Sequence, residues 1–188
     1  TSGQFPITIT ATTPAGTLEV SLTFTVNTPP ILSDSTLSDS GATGTAYADA
    51  ILANGFPSPT YAVTSGALPT GLTLNTSTGS ITGTPSIGGI FTFTFTVSNG
   101  IESPISIGPK TITVLSAPTW SDSQVSDATM FVPYLDGLSA TGHPAPTYLL
   151  SSGSLPAGIN LNTQTGLLSG SSPRAAGTYS FVIQASNS

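Results

Sequence analysis

The strongest constraint on this chain is that it repeats itself. Gly55-Phe56-Pro57-Ser58-Pro59-Thr60-Tyr61 returns as Gly142-His143-Pro144-Ala145-Pro146-Thr147-Tyr148, 87 positions on. Upstream, Leu32-Ser33-Asp34-Ser35 matches Trp120-Ser121-Asp122-Ser123 at an offset of 88, so the copies differ by a one-residue deletion. Downstream, Gly66-Ala67-Leu68-Pro69-Thr70-Gly71-Leu72-Thr73-Leu74-Asn75 parallels Gly153-Ser154-Leu155-Pro156-Ala157-Gly158-Ile159-Asn160-Leu161-Asn162. Thr78-Gly79 and Gly83 match Thr165-Gly166 and Gly170. A third, partial match opens the chain: Gly3-Gln4-Phe5-Pro6-Ile7-Thr8-Ile9 aligns with Gly89-Ile90-Phe91-Thr92-Phe93-Thr94-Phe95 and with Gly177-Thr178-Tyr179-Ser180-Phe181-Val182-Ile183. The expected division is therefore the tail of one repeat (1–28), a complete repeat (29–116) and a repeat without its last strand (117–188).

Within each copy the periodicity is two. Phe91, Phe93, Phe95 and Val97 alternate with Thr92, Thr94 and Thr96, which puts aromatics on one face of a strand and hydroxyls on the other. Leu72-Thr73-Leu74 and Ile81 flank Asn75-Thr76-Ser77-Thr78-Gly79, a hairpin with glycine where positive φ is needed. Ile112 and Val114 share a face of a final strand, and Phe24 and Val26 are their counterparts in the first segment. With 20 glycines and 16 prolines punctuating short segments, no long helix fits. Several short strands per repeat predict an all-β fold of tandem antiparallel β-sandwiches.

Composition then removes whole classes of function. Lys110 and Arg174 are the only cations in 188 residues, the net charge is −6, and charged residues make up 5%. Two cations cannot neutralise a row of phosphates or hold an anionic membrane, so nucleic acid and membrane surfaces are excluded as partners. No apolar run reaches the roughly 18 residues that a spanning helix needs, so membrane insertion is not expected. Thr1-Ser2-Gly3-Gln4-Phe5 has neither the basic nor the apolar region of a signal peptide. Without cysteine there are no disulfides, thiolate zinc sites or thiol nucleophiles.

Leu68-Pro69-Thr70-Gly71-Leu72-Thr73-Leu74-Asn75, followed by Thr78-Gly79-Ser80-Ile81-Thr82-Gly83-Thr84-Pro85 and Gly89-Ile90-Phe91-Thr92-Phe93, resembles the bacterial putative Ig domain, one of the cadherin-like, dystroglycan-type Ig-like modules. Leu155-Pro156-Ala157-Gly158 through Gly177-Thr178-Tyr179-Ser180-Phe181 carries the pattern again, and residues 1–28 resemble the end of a third copy. The resemblance implies tandem Ig-like modules in large surface or secreted proteins, often as spacers, and implies no one ligand.

Because cadherin-like relatives place acidic clusters at domain junctions, calcium is the first chemistry to weigh. Asp34, Asp39 and Asp49 recur as Asp122, Asp127 and Asp136. Calcium takes roughly six to eight oxygens, usually several of them carboxylate. Here the dense acidic run of calcium-binding relatives is replaced by Asn54-Gly55-Phe56-Pro57, and the Asp-Gly expected after the Phe-rich strand is Asn99-Gly100 in one copy and Asn187-Ser188 in the other. The aspartates are expected to close Asx-turns and break edge strands, and no metal or cofactor site is assigned.

No catalytic residues are assigned either. His143, the one imidazole, stands where the other copy has Phe56 and is expected to be an exposed loop residue without a nucleophile motif. Glu19 and Glu102 fall in corresponding inter-strand loops, with nothing to make them converge as a glycosidase pair must. Lys110, with Glu102 before it, could join an isopeptide cross-link, but no other copy has a lysine, so it is expected to be a solvated residue near a strand start. The sequon Asn75-Thr76-Ser77 accepts sugar only in a glycosylating host.

The joints carry more information. Thr28-Pro29-Pro30-Ile31-Leu32 and Ser116-Ala117-Pro118-Thr119-Trp120 connect copies with almost no flexible residues, and proline stiffens them. Leu32 and Trp120 are expected to pack into their own module or against the preceding one. The final copy lacks the strand represented by Leu22–Val26 and Thr111–Val114, which leaves two readings. Either the chain is a window of a longer array, or residues 1–28 of another molecule donate strands and build head-to-tail fibres. The expected role is an extracellular spacer, stalk or fibre module at a cell surface or in a secreted protein, not an enzyme. Its partners would be neighbouring copies of itself. The alternative is an adhesion module binding a glycan or protein through loops 55–61 and 142–148.

Overall fold

The computed structural model of the chain describes residues 1–171, 173 and 175–187. Among these there are seventeen strands and no helix, as the period of two requires. The chain divides into two compact units, one of residues 1–86 and 90–112, the other of residues 87–89 and 113–188.

The first unit begins with a hairpin, β1 (Gly3–Thr13) and β2 (Gly16–Val26), in unbroken register from Gly3↔Val26 to Thr13↔Gly16. Cross-strand pairs Phe5↔Phe24, Ile7↔Leu22 and Ile9↔Val20 lie on one face. These side chains are all exposed, and among the described residues β1 and β2 pair only with each other. The tight Pro14-Ala15 turn puts Glu19 inside β2, where it accepts a bond from Thr10 Oγ1 (3.3 Å), and not in the loop expected for it.

The chain continues as β3 (Thr28–Asp34), β4 (Ser40–Ala42), β5 (Tyr47–Ala50), β6 (Leu52–Phe56), β7 (Thr60–Gly66), β8 (Leu72–Leu74), β9 (Ser80–Gly83), β10 (Gly89–Ser98) and β11 (Ile105–Asp122). One sheet runs β7-β10-β11 with β4 also on β11, a second runs β5-β9-β8, and β3 pairs β6. β8 and β9 form the hairpin read from the sequence, with Leu74 opposite Ile81. Its turn needs Gly79, whose φ is +75° and where an added Cβ would collide with the Ile51 carbonyl and the Tyr61 ring.

Alternation along β10 decides where the core sits. Phe93, Phe95 and Val97 are at most 1% exposed, and the two phenyl rings meet edge to face at 5.3 Å and 82°. Ile107, Ile112 and Val114 of β11 are buried in the same unit's sheet or on the strand leading out of it. Burying each such side chain contributes about 1.5–3 kcal/mol. On the opposite face Thr92 is exposed, while Thr94 and Thr96 are half-buried.

The second unit takes the later part of β11 and adds β12 (Tyr134–Gly137), β13 (Ser139–His143), β14 (Thr147–Gly153), β15 (Ile159–Leu161), β16 (Leu167–Gly170) and β17 (Phe181–Ser186). Its sheets repeat the first unit's: β12-β16-β15 corresponds to β5-β9-β8, and β14-β17 to β7-β10. β13 pairs β11 through Ser116↔His143 and Trp120↔Ala140, as β6 pairs β3 through Thr28↔Phe56 and Leu32↔Ala53. Both pairings slip register around proline, at Pro29 and Pro30 in β3 and at Pro118 in β11, which have no N–H to give a ladder. Among the described residues β17 has β14 as its only strand partner.

Candidate functional site

The polar groups that converge are at the start of each repeat, and they do so twice. Asn99, just after β10, donates from Nδ2 to the carbonyl oxygens of Thr28 (2.8 Å) and Pro57 (2.9 Å). Asn187, just after β17, donates from Nδ2 to those of Ser116 (2.9 Å) and Pro144 (2.7 Å). Two carbonyl acceptors fix the amide orientation, since only the NH2 side can satisfy both. In the first unit Ile101 N donates to the remaining Oδ1 (3.3 Å), as that orientation requires. Phe56 N also donates to Thr28 Oγ1 at 3.0 Å.

These bonds explain the most repeated motif of the sequence. A Cβ on Gly55 would stand 3.0 Å from Asn99 Nδ2 and 3.3 Å from the Pro29 oxygen. On Gly142 it would stand 2.8 Å from Asn187 Nδ2. Glycine is needed there for space, because the amide lies against the backbone. The next peptide bonds, Phe56–Pro57 and His143–Pro144, are both cis.

A second fixing lies further along each repeat. Tyr47 Oη donates to the Ser38 carbonyl (2.8 Å), while Ser38 N and Ala50 N donate to Asp49 (2.6 and 2.8 Å). Tyr134 Oη likewise donates to the Ser126 carbonyl (2.9 Å), and Ser126 N and Gly137 N donate to Asp136 (2.6 and 2.7 Å). Ser126 Oγ adds a further bond to Asp136 at 2.7 Å. The Ser126 N–H first, then the Ser126 hydroxyl and the Gly137 N–H, pull the Asp136 carboxyl down to about 2. Burial, with Asp49 and Asp39 nearby, pushes the Tyr47 phenol up to about 12.

The remaining carboxylates are spread out. Asp34 accepts from Thr36 N (2.9 Å) and Thr36 Oγ1 (2.7 Å), and Asp122 accepts from Gln124 N (3.0 Å), which are the Asx-turns expected of them. The Thr36 N–H, helped by its hydroxyl and by Lys110, lowers the Asp34 carboxyl. Lys110 lies inside β11 and is half-buried, not at a strand start. Asp39 and Asp127 are exposed. Among the described residues no three His, Asp or Glu side chains gather as a metal site.

His143 differs from expectation: it ends β13, half-buried, held in the ladder opposite Ser116. The segments 55–61 and 142–148 are thus mostly strand, with free loop only at 57–59 and 144–146. Asn75 Oδ1 accepts from Ser77 N and Thr78 N, and Asn162 makes the same turn with Gln164 and Thr165. Leu32 is half-buried, and Trp120 is 40% exposed with its ring 6.0 Å from Tyr148 of its own unit. Two clefts in the second unit flank β17. One of about 610 Å³ is lined by Val125, Met130, Tyr134, Leu155, Leu168 and Phe181, and one of about 510 Å³ by Trp120, Leu138, Val182 and Ile183. The lining of the first is mixed, with Ser126, Asp127, Thr129 and Thr178 among its apolar side chains, and that of the second is more apolar.

The asparagine fixings escape a sequence reading because Asn99 and Thr28 are 71 residues apart, as are Asn187 and Ser116. The available signal was the recurrence of Asn at the same step after both Phe-containing strands, together with the Gly-x-Pro segment at the same step before them.

No curated protein matches the sequence. Among solved structures, an I-band fragment of titin is similar over 99% of this chain and 70% of its own, with 15% identity and a TM-score of 0.52. The insect immune protein hemolin is similar over 97% of this chain and 52% of its own, with 17% identity and a TM-score of 0.48. An endo-fucoidan hydrolase covers 98% of this chain with 32% of its own, at 20% identity and a TM-score of 0.37, too loose a likeness to carry catalysis across. The chain spans about half the length of hemolin and about a third of the hydrolase. Among the described residues no helix is long and apolar enough to cross a membrane. The family profile described as Putative Ig domain matches residues 29–115 and again 109–188. The chain belongs to that Ig-domain family, in two tandem copies.

Proposed function

We propose that this chain is a structural spacer of an extracellular protein, a run of Ig-like modules whose role is mechanical. The supporting observation is the make-up of the joints. Asn27 is the one residue between β2 and β3 outside a strand, and β11 is a single strand from Ile105 to Asp122. Both joints are made of proline and strand backbone, and each joint's first carbonyl is tied to its own repeat by an asparagine. In this reading residues 1–28 are the closing strands of a preceding repeat, followed by repeats at 29–116 and 117–188. A glycan array with a panel of extracellular proteins tests the reading: a spacer binds none selectively. Selective binding lost on substitution at 57–59 or 144–146 would establish the adhesion reading instead.

A narrower form of the proposal is head-to-tail fibre assembly. It is favoured by the exposed apolar face of the β1–β2 hairpin and by the clefts beside β17, which a β2-like strand would fill. Light scattering should then show a mass that grows with concentration, and a constant monomer mass contradicts it.

A further inference from the structure

We propose that the second unit holds a two-edged slot for one extended strand, and that β2 of a second copy fills it by leaving its own β1. The inference rests on the fibre form of the proposed function and gives it a mechanism.

The first unit shows what such a slot takes. There β11 lies between β10 and β4 and pairs with both. Ser38 and Ser126 make the same bonds to Asp49 and Asp136, so the counterparts of β4 are residues 128–130, and the counterpart of β10 is β17. Residues 128–130 and Phe181 of β17 both line the cleft of about 610 Å³, and among the described residues no strand lies between them. An unpaired strand edge is a template for another strand.

The chain also carries the strand that fits. Gly177-Thr178-Tyr179 aligns with Gly3-Gln4-Phe5, so β17 is the counterpart of β1 as well as of β10. β1 has β2 as its partner through Phe5↔Phe24, Ile7↔Leu22, Ile9↔Val20 and Thr10↔Glu19. Carried onto β17, that register sets Phe24 against Tyr179, Leu22 against Phe181, Val20 against Ile183 and Glu19 against Gln184. Apolar side chains meet on one face, and on the other a carboxylate meets an amide donor. In the hairpin Phe24 is 63% and Leu22 52% exposed, whereas Ile112 and Val114 of β11 are sealed. The move therefore covers apolar surface that the hairpin leaves in water.

The register also dictates the route. With its apolar face inward, β2 offers β17 the same edge that β1 now holds, so β2 enters only as β1 lets go. One ladder replaces another, and the gains are a second paired edge at 128–130 and a covered face. Donor and acceptor surfaces differ, so the exchange runs head to tail.

The test uses the full chain as wild type and as T8C/S21C, with a synthetic peptide of residues 16–27. Thr8 Oγ1 and Ser21 Oγ stand 3.5 Å apart across the hairpin, so oxidising the cysteine pair locks β1 to β2, and the chain has no other cysteine. Trp120, the sole tryptophan, lines the neighbouring cleft with Phe181 and reports the second unit. Added to the oxidised variant, the peptide should change Trp120 emission saturably and raise the second unit's melting by several degrees. The same peptide with Leu22→Ser and Phe24→Ser should bind at least about tenfold more weakly. Light scattering should show a mass that grows with concentration for the wild type and the reduced variant, and a monomer for the oxidised one. An oxidised variant that grows like the wild type overturns the exchange and leaves the fibre reading in place. A monomeric wild type beside an oxidised variant that takes the peptide removes the fibre reading and the second copy as occupant, and supports the slot. A peptide that moves neither Trp120 emission nor melting overturns the slot itself.

Discussion

β10 and β17 are the same strand in two repeats, and they have different surroundings. In β10, Phe93, Phe95 and Val97 are sealed from solvent, with β7 on one edge and β11 on the other. In β17 their counterparts Phe181, Ile183 and Ala185 are only half-buried, with β14 as the one strand partner among the described residues. The apolar-polar alternation is present in both, so the pattern chooses the face and a neighbouring strand completes the burial. By contrast, the asparagine, tyrosine and aspartate fixings are equally made in both repeats. They depend on segments each repeat contains, and the core depends on one that they do not share equally.

The largest effect should come from emptying the core where it is sealed. Phe95→Ala is expected to cost about 3–5 kcal/mol, and Ile183→Ala less than about 2 kcal/mol. Urea denaturation followed by circular dichroism measures both, and Trp120, the sole tryptophan, reports the second unit by fluorescence. Similar costs would break the contrast between the strands.

Next come the turns, where the repeats should behave alike. Gly79 and Gly166 have φ of +75° and +74°, and an added Cβ meets the Ile51 and Leu138 carbonyls respectively. Gly79→Ala and Gly166→Ala are each expected to cost about 2 kcal/mol or more, read from the same denaturation curves. A cheap substitution in one repeat alone would show that the turns are not equivalent.

Titration should be quiet between two limbs. The Asp136 carboxyl, lowered from 3.8 to about 2 in the folded chain, contributes stability above its unfolded value that is lost as pH falls through about 2. The Tyr47 phenol, raised from 10.0 to about 12, contributes stability present below pH 10 that is lost as pH rises through about 12. Melting temperature should therefore be nearly flat between about pH 5 and 9, as a surface with so few charges also suggests. Asp136→Asn should soften the acid limb, and an unchanged limb would deny Asp136 that role. The smallest effect should be Thr92→Ala on the exposed face, within about 0.5 kcal/mol, although it removes the 3.2 Å contact with Thr111 Oγ1.

What the sequence made legible was local. The alternation along Phe91–Val97, the turn at Asn75–Gly79 and the two Asx-turns at Asp34 and Asp122 each need only a few neighbouring residues. Glu19 was misplaced because the tightness of the Pro14-Ala15 turn decides where β2 begins, and several turn lengths suit that segment. His143 was misplaced because a residue between Gly142 and Pro144 suggests loop, whereas pairing with Ser116 keeps it in strand. The asparagine fixings were out of reach because three distant segments must fold together before the two carbonyls converge.

Amide hydrogen exchange, resolved by residue, tests the central contrast most directly. The account predicts that the amides of Phe93–Val97 exchange far more slowly than those of Phe181–Ala185, because β10 is bonded on both edges and β17, among the described residues, only by β14. Equal protection of the two strands in a monomeric sample would contradict it.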